Sequence, residues 1–248
     1  NLPVMGLRTF ERIAINDEQL IAFDTRFSYQ WLNGGWEMID GSTDESYFEG
    51  NDSQFFWTTT YQGTGPNDKR FFATNFKADE TQRMRVYDGT NWESFNPLVN
   101  AGTRLDTARI LVPYWHRMLA IGTYENGIYY PARFRWSQIG DPNPVAGDAW
   151  REDMIGKGNF LDASTSESLV GIGFVKGVLV AYFERSTWIL RHTGNQAYPF
   201  VAEQINAELG AESTFSMVPF DKVLIGLGNV GIHACNSLNV ERIDDKIP

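Results

Sequence analysis

Apolar residues in this 248-residue chain come in short runs of four to eight, separated by polar turns, and five segments share one arrangement. An apolar strand leads through a short polar or aromatic turn into a second apolar strand. The first segment runs Arg12-Ile13-Ala14-Ile15, Asn16-Asp17-Glu18, then Leu20–Phe23, and the second runs from Phe55–Trp57 to Phe71–Ala73. The third joins Ile110–Val112 through Trp115-His116 to Met118–Ile121. The fourth joins Leu169–Ile172 through Lys176-Gly177 to Val178–Ala181, and the fifth joins Phe215–Val218 through Asp221-Lys222 to Val223–Gly226.

The second strands begin near residues 20, 71, 118, 178 and 223, so the pattern recurs every 45 to 60 residues. Four-stranded propeller blades repeat at roughly 40–50 residues. Helical repeats have similar periods, but these runs are short, β-branched and aromatic, which is strand character. A third, alternating strand follows each hairpin, as in Phe27–Trp31, Met84–Tyr87 and Arg133–Trp136. Two repeats then close on Asn33-Gly34-Gly35-Trp36 and Asp88-Gly89-Thr90-Asn91-Trp92, whose Asn-Gly and Asp-Gly steps suit hairpin turns. The pattern predicts an all-β chain: a β-propeller of four-stranded antiparallel blades, about five to six of them, closed within residues 1–248 as one domain or completed by another segment. Helix is limited to a turn or two near Glu203–Leu209. The longest loops fall at 40–52, 61–69, 140–159 and 194–199, where a repeat protein places partner contacts.

Composition narrows the picture. The 8 Trp, 17 Phe and 10 Tyr are ample for sheet-on-sheet cores. Cys235 is the lone cysteine, which excludes an intramolecular disulfide and a Cys-rich zinc site and fits a reducing compartment. No apolar run approaches the ~20 residues of a membrane-spanning helix, and no signal peptide is visible. A start on Asn1 suggests a processed or fragmentary chain. The net charge of −10, with Lys and Arg scattered singly, is the opposite of a nucleic-acid wrapper and suits a surface DNA passes without sticking.

Several stretches imitate catalytic or ligand motifs. Gly226-Leu227-Gly228-Asn229-Val230-Gly231 satisfies G-x-G-x-x-G after an apolar run, with Asp245 downstream. A dinucleotide site needs a helix directly after the last glycine, and 232–237 is too short and turn-like to supply one. His116, His192 and His233 are far apart, and His233-x-Cys235 is too sparse for a metal. Asp40, Asp44, Glu45, Glu49 and Asp52 share a loop without the calcium-loop spacing, so a solvated acidic loop is expected. There is no G-x-S-x-G elbow, and Asp88–Trp92 is only a fragment of the sialidase aspartate box. Among 31 acidic residues some carboxylate pair suited to glycoside hydrolysis is unavoidable, and the aromatic residues could stack sugars, although most should be core. No catalytic, cofactor-binding or metal residue is assigned, and the chain is expected not to be an enzyme.

Three phrases carry a resemblance: Tyr130-Pro131-Ala132-Arg133-Phe134-Arg135-Trp136-Ser137 with Gly140-Asp141-Pro142, Phe183-Glu184-Arg185-Ser186-Thr187-Trp188, and Val240–Pro248. From about Arg109 onward the chain resembles tailed-bacteriophage virion proteins that carry a propeller, the tail nozzle (tail tubular) and related tail-hub proteins. The resemblance implies a structural protein of a phage tail or head-to-tail assembly, in the virion after assembly in the host cytoplasm. It further implies a homo-oligomeric ring, other tail or portal-proximal proteins as partners, and DNA crossing without specific binding. The competing expectations are a glycan-binding or glycan-hydrolysing propeller that reads a receptor, and an intracellular interaction scaffold. Gly140-Asp141-Pro142-Asn143-Pro144 is expected to be a rigid loop; at Glu184-Arg185 the arginine is expected either to tie a turn or subunit contact or to form a local ion pair.

Overall fold

Two-residue turns organise the chain. Asn33-Gly34, Asn126-Gly127 and Lys176-Gly177 each have positive φ at both positions, the mirror-image turn whose twist matches paired strands. Trp115 and His116 adopt the same geometry at φ 48° and 59° without any glycine. That strained turn is pinned because the His116 carbonyl accepts hydrogen bonds from the Tyr61 hydroxyl at 2.7 Å and the Gly140 amide at 3.0 Å.

The computed structural model describes residues 3–12, 15–39, 48–63, 65, 68–77, 84–144 and 146–244. Among them, strands in chain order form five sheets. Sheet I is β1 (Gly6–Arg12), β2 (Asp17–Phe23), β3 (Ser28–Leu32) and β4 (Gly35–Met38). Sheet II is β5 (Trp57–Gln62), β6 (Lys69–Thr74), β7 (Arg85–Tyr87) and β8 (Trp92–Ser94). Sheet III has five strands, β9 (Leu98–Asn100), β10 (Thr103–Tyr114), β11 (Arg117–Glu125), β12 (Ile128–Trp136) and β13 (Asn159–Asp162). Sheet IV is β14 (Leu169–Val175), β15 (Val178–Phe183), β16 (Thr187–His192) and β17 (Phe200–Asn206). Sheet V is β18 (Val218–Phe220), β19 (Val223–Gly228), β20 (Gly231–Cys235) and β21 (Val240–Arg242). Each strand pairs with its sequence neighbour, so every sheet is an up-and-down meander of the kind that makes a propeller blade. The chain is all-β, and the second strand of every repeat starts within three residues of its expected place.

Three first strands are displaced from their expected positions. Sheet I opens with β1 ending at Arg12, because Arg12 pairs with Asp17 across the hairpin and its guanidinium donates to that carboxylate. Ile13 and Ala14 lie outside the described residues. Phe56 precedes β5 because its amide donates to the Met5 carbonyl, which draws the ring into the core before pairing begins. In sheet V the first strand is Val218–Phe220, since Ser216 turns back on Ser213. The helical turn expected at 203–209 is instead β17 up to Asn206, where Glu203 and Gln204 pair with Ile189 and Trp188. Asn206 then caps a turn by accepting the Glu208 and Leu209 amides.

The chain divides into two compact units, Asn1–Tyr130 with Arg135–Phe160, and Pro131–Phe134 with Leu161–Pro248. In the first unit, sheet I packs Phe10, Ile21 and Phe23 on Phe71, Ala73, Tyr87 and Trp92 of sheet II. Sheet II turns its other side, Phe72 and Val86, to Leu105, Ala108, Leu111, Met118 and Ala120 of sheet III. Sheet II is therefore apolar on both faces, as a sheet sandwiched between two others must be. Arg135 is buried here, donating to both carboxylate oxygens of Glu125 at 2.8 Å and lying 4.9 Å above the Phe160 ring. In the second unit, Val180, Tyr182 and Ile189 of sheet IV pack on Leu224, Cys235 and Val240 of sheet V.

Candidate functional site

Side chains on paired residues of adjacent strands share a face, so the register assigns every residue of sheet I to one of two sides. Phe23 with Ser28, Ile21 with Gln30, and Phe10 with Gln19 mark the side packed on sheet II. The opposite side carries Leu7, Ala22, Tyr29 and Met38 in one row and Thr9, Leu20, Trp31 and Trp36 in the next. Apart from the exposed Glu11–Glu18 pair in a third row, that second side is apolar but open: Leu7 is 58% exposed, Trp31 and Trp36 45% each, and Met38 52%. The two indoles flank the Asn33-Gly34 turn edge to face, with centroids 5.3 Å apart.

A cavity of about 410 Å³ opens on this side, lined by Val4, Leu7, Ala22, Asp24, Tyr29 and Trp36. Its polar corner is engaged by its own turn. Asp24 accepts the amides of Arg26 and Phe27 at 2.6 Å each and the Tyr29 hydroxyl at 2.7 Å. Burial and the Asp24 carboxylate push the Tyr29 phenol up to about 12, so it stays a proton donor. The site therefore offers an apolar aromatic wall beside one carboxylate that its own turn and Tyr29 already engage.

Sheet V has a second open apolar side. Val218, Ile225 and Ala234 share a row, Phe220 pairs with Val223, and Leu227 pairs with Ile232. Val218 is 57%, Phe220 65% and Leu227 52% exposed. The alternate residues Leu224, His233, Cys235 and Val240 are buried against the rest of the second unit.

The sequence motifs resolve into architecture. Gly226–Gly231 is the end of β19, a turn at Asn229-Val230 and the start of β20, with no helix after it. Gly226 is needed because a Cβ there would lie 2.6 Å from Nε2 of buried His233. Burial holds His233 below the usual imidazole range and raises the Cys235 thiol and the Tyr182 phenol beside it. His116 is a turn residue and His192 packs on Phe200. Among the described residues no three of His, Cys, Asp or Glu gather as metal ligands. Asp40, Asp44, Glu45 and Asp245 fall outside the described residues, while Glu49 pairs with Lys77 at 2.6 Å.

The phrases behind the family resemblance also have structural roles. Arg133 clasps Asp162 through two nitrogens, and Trp150 donates to the Pro142 carbonyl in the Gly140–Pro144 loop. At Glu184-Arg185 the tie comes from elsewhere: one oxygen of Glu167 accepts the amides of Arg185 and Ser186 and the Ser186 hydroxyl. Most of the aromatic residues are expected in the core, where Trp92, Trp136, Trp150 and Trp188 are buried; Trp115 is exposed at its turn, and so are the paired indoles of Trp31 and Trp36. The Asn33-Gly34 turn between those two indoles was the available signal, since it pairs them across a short outer hairpin.

No family model matches the chain, and no curated protein matches it. Among solved structures it is similar to a point mutant of the Aleuria aurantia lectin AAL in complex with Fucα1-6GlcNAc. The similarity has a TM-score of 0.41 and 9% identity, over 97% of this chain and 77% of the lectin chain.

Proposed function

We propose that this chain is a non-enzymatic β-repeat module that works by docking other β-sheets onto the open apolar sides of its first and last sheets. One observation carries the reading: sheet I keeps a side of Leu, Met and Trp in water and sheet V one of Val, Phe and Leu, whereas sheet II covers its apolar residues on both sides. Exposed contiguous apolar surface marks interaction sites. The resemblance to tail nozzle and tail-hub proteins supplies the setting we propose, a ring-shaped part of a phage tail or head-to-tail assembly in the virion. The net charge of −10 suits a conduit that releases DNA. The native mass of the purified chain tests this reading: an oligomer supports it, and a monomer at every concentration overturns it.

A glycan-binding reading is favoured by the Trp31–Trp36 pair beside an open cavity. Exposed indoles stack on sugar rings, and such pockets hold few polar groups. Fucα1-6GlcNAc, the disaccharide held by the similar lectin, serves as the first probe. Titration with a readout of indole fluorescence supports this reading if binding is saturable and lost in Trp36→Ala, and overturns it for that sugar if the signal stays flat.

A further inference from the structure

We infer that the cavity beside Trp36 binds a quaternary ammonium group, an organic cation clothed in methyls, between the rings of Tyr29 and Trp36 and the carboxylate of Asp24. This goes beyond the docking role and the glycan reading proposed above and depends on neither.

The hollow follows from side-chain length. In the row Leu7, Ala22, Tyr29 and Met38, alanine is the short member, and its register partners on either side are Leu7 and Tyr29. A methyl between two long side chains leaves a floor, and Val4 and Trp36 complete the walls. Asp24 is the one charged residue that lines the space.

That carboxylate gives the hollow its sign. Asp24 is buried, and its hydrogen bonds all come from neutral donors, the Arg26 and Phe27 amides on Oδ1 and the Tyr29 hydroxyl on Oδ2. Among the described residues no Lys, Arg or His forms an ion pair with it. Neutral donors orient a carboxylate but leave its charge in place, and a buried charge is ordinarily paired. Three of the roughly four positions at which a carboxylate accepts are already taken. What Asp24 still offers a ligand is therefore charge more than hydrogen bonding.

Ligand classes differ in what they need from such a site. A sugar brings several hydroxyls, and a metal ion or primary ammonium requires several oxygen partners, which an apolar wall with one remaining acceptor position does not supply. A quaternary ammonium donates no hydrogen bonds. Its charge is attracted both to a carboxylate and to the faces of Trp and Tyr rings. Its methyls remove apolar surface of Leu7 and Ala22 from water. The Glu11–Glu18 pair further along the same side and the net charge of −10 add to a field that draws cations.

The test titrates the whole chain with choline and with neohexanol, in which an uncharged tert-butyl group replaces trimethylammonium, following the methyl signals by saturation-transfer NMR. Choline should bind saturably, and neohexanol at least about tenfold more weakly, the scale of a desolvated cation–π contact. Trp36→Ala, at an exposed position, should weaken choline by about tenfold as well. Asp24→Asn, checked by circular dichroism, should bring choline down to the level of neohexanol. If that variant does not fold, the two wild-type titrations and Trp36→Ala decide the matter. Equal affinity for the two probes overturns the inference, since the cavity would then accept apolar bodies regardless of charge. Choline binding unchanged in Trp36→Ala, or no saturable choline binding, overturns it too. The native-mass and disaccharide measurements are separate, so either reading above can stand when this one fails.

Discussion

Sheets II and V are built from the same kind of sequence and differ in what covers them. In β6 the run Phe71-Phe72-Ala73 is buried throughout, one side facing sheet I and the other sheet III. In β19 the run Val223-Leu224-Ile225 is equally apolar, yet only Leu224 is fully buried. A continuous apolar run encodes burial on both sides of a strand. In sheet II both sides have a partner, and in sheet V one does. The lesson is that apolar periodicity states how much surface a strand could hide, while the fold shows which part it leaves open.

The largest tests of that comparison lie in the covered sheets. Phe72→Ala should cost about 3–5 kcal/mol in chemical denaturation, the usual range for emptying a packed aromatic site. A value below about 1 kcal/mol would mean that sheet II is not sandwiched as described. Arg135→Ala should cost a similar amount, about 3–5 kcal/mol, because it removes the buried guanidinium that donates to both oxygens of the Glu125 carboxylate. A loss near that of an exposed ion pair would show that water reaches the site.

A smaller effect is expected on the covered side of sheet V. Gly226→Ala forces a methyl onto the His233 imidazole and should cost about 1–3 kcal/mol, the range for overpacking. Pairing it with His233→Ala should recover part of the loss, and strict additivity would show that the two positions do not touch.

His233 also makes the second unit sensitive to acid. Its folded pKa lies below the unfolded value of 6.5, so the unfolded chain binds more protons in the interval between them. Its contribution is fully present above pH 6.5 and falls as the pH drops below that value. The melting temperature in His233→Gln should lose that part of its pH slope, whereas an unchanged slope would assign the acid response to other groups.

The smallest effect belongs to the open side of sheet V. Phe220→Ala should change stability of the isolated chain by no more than about 0.5 kcal/mol, as for other exposed substitutions. A cost comparable to that of Phe72→Ala would show that something already covers this side.

Much of the fold was legible beforehand because β-strands announce themselves locally. The second strands at 17, 69, 117, 178 and 223 follow from short β-branched and aromatic runs bounded by turns. First strands were less legible, since their bounds depend on remote contacts such as the Phe56 amide on the Met5 carbonyl and the Arg12–Asp17 pairing. The glycine motif at 226–231 was legible as strand and turn, though its reason was not. Only the packing of His233 against Gly226 explains why glycine stands there.

The candidate site was the least legible part. Trp31 and Trp36 have the composition of core residues, and the Asn33-Gly34 turn that pairs them at an outer hairpin is the one local sign that sets them apart. The all-β class, the repeat and the order of the hairpins followed from the chain itself, because turn chemistry and period-two alternation are short-range properties. Which apolar sides are hidden and which are left open was decided only in three dimensions, because burial depends on the neighbouring sheet rather than on the strand that is buried.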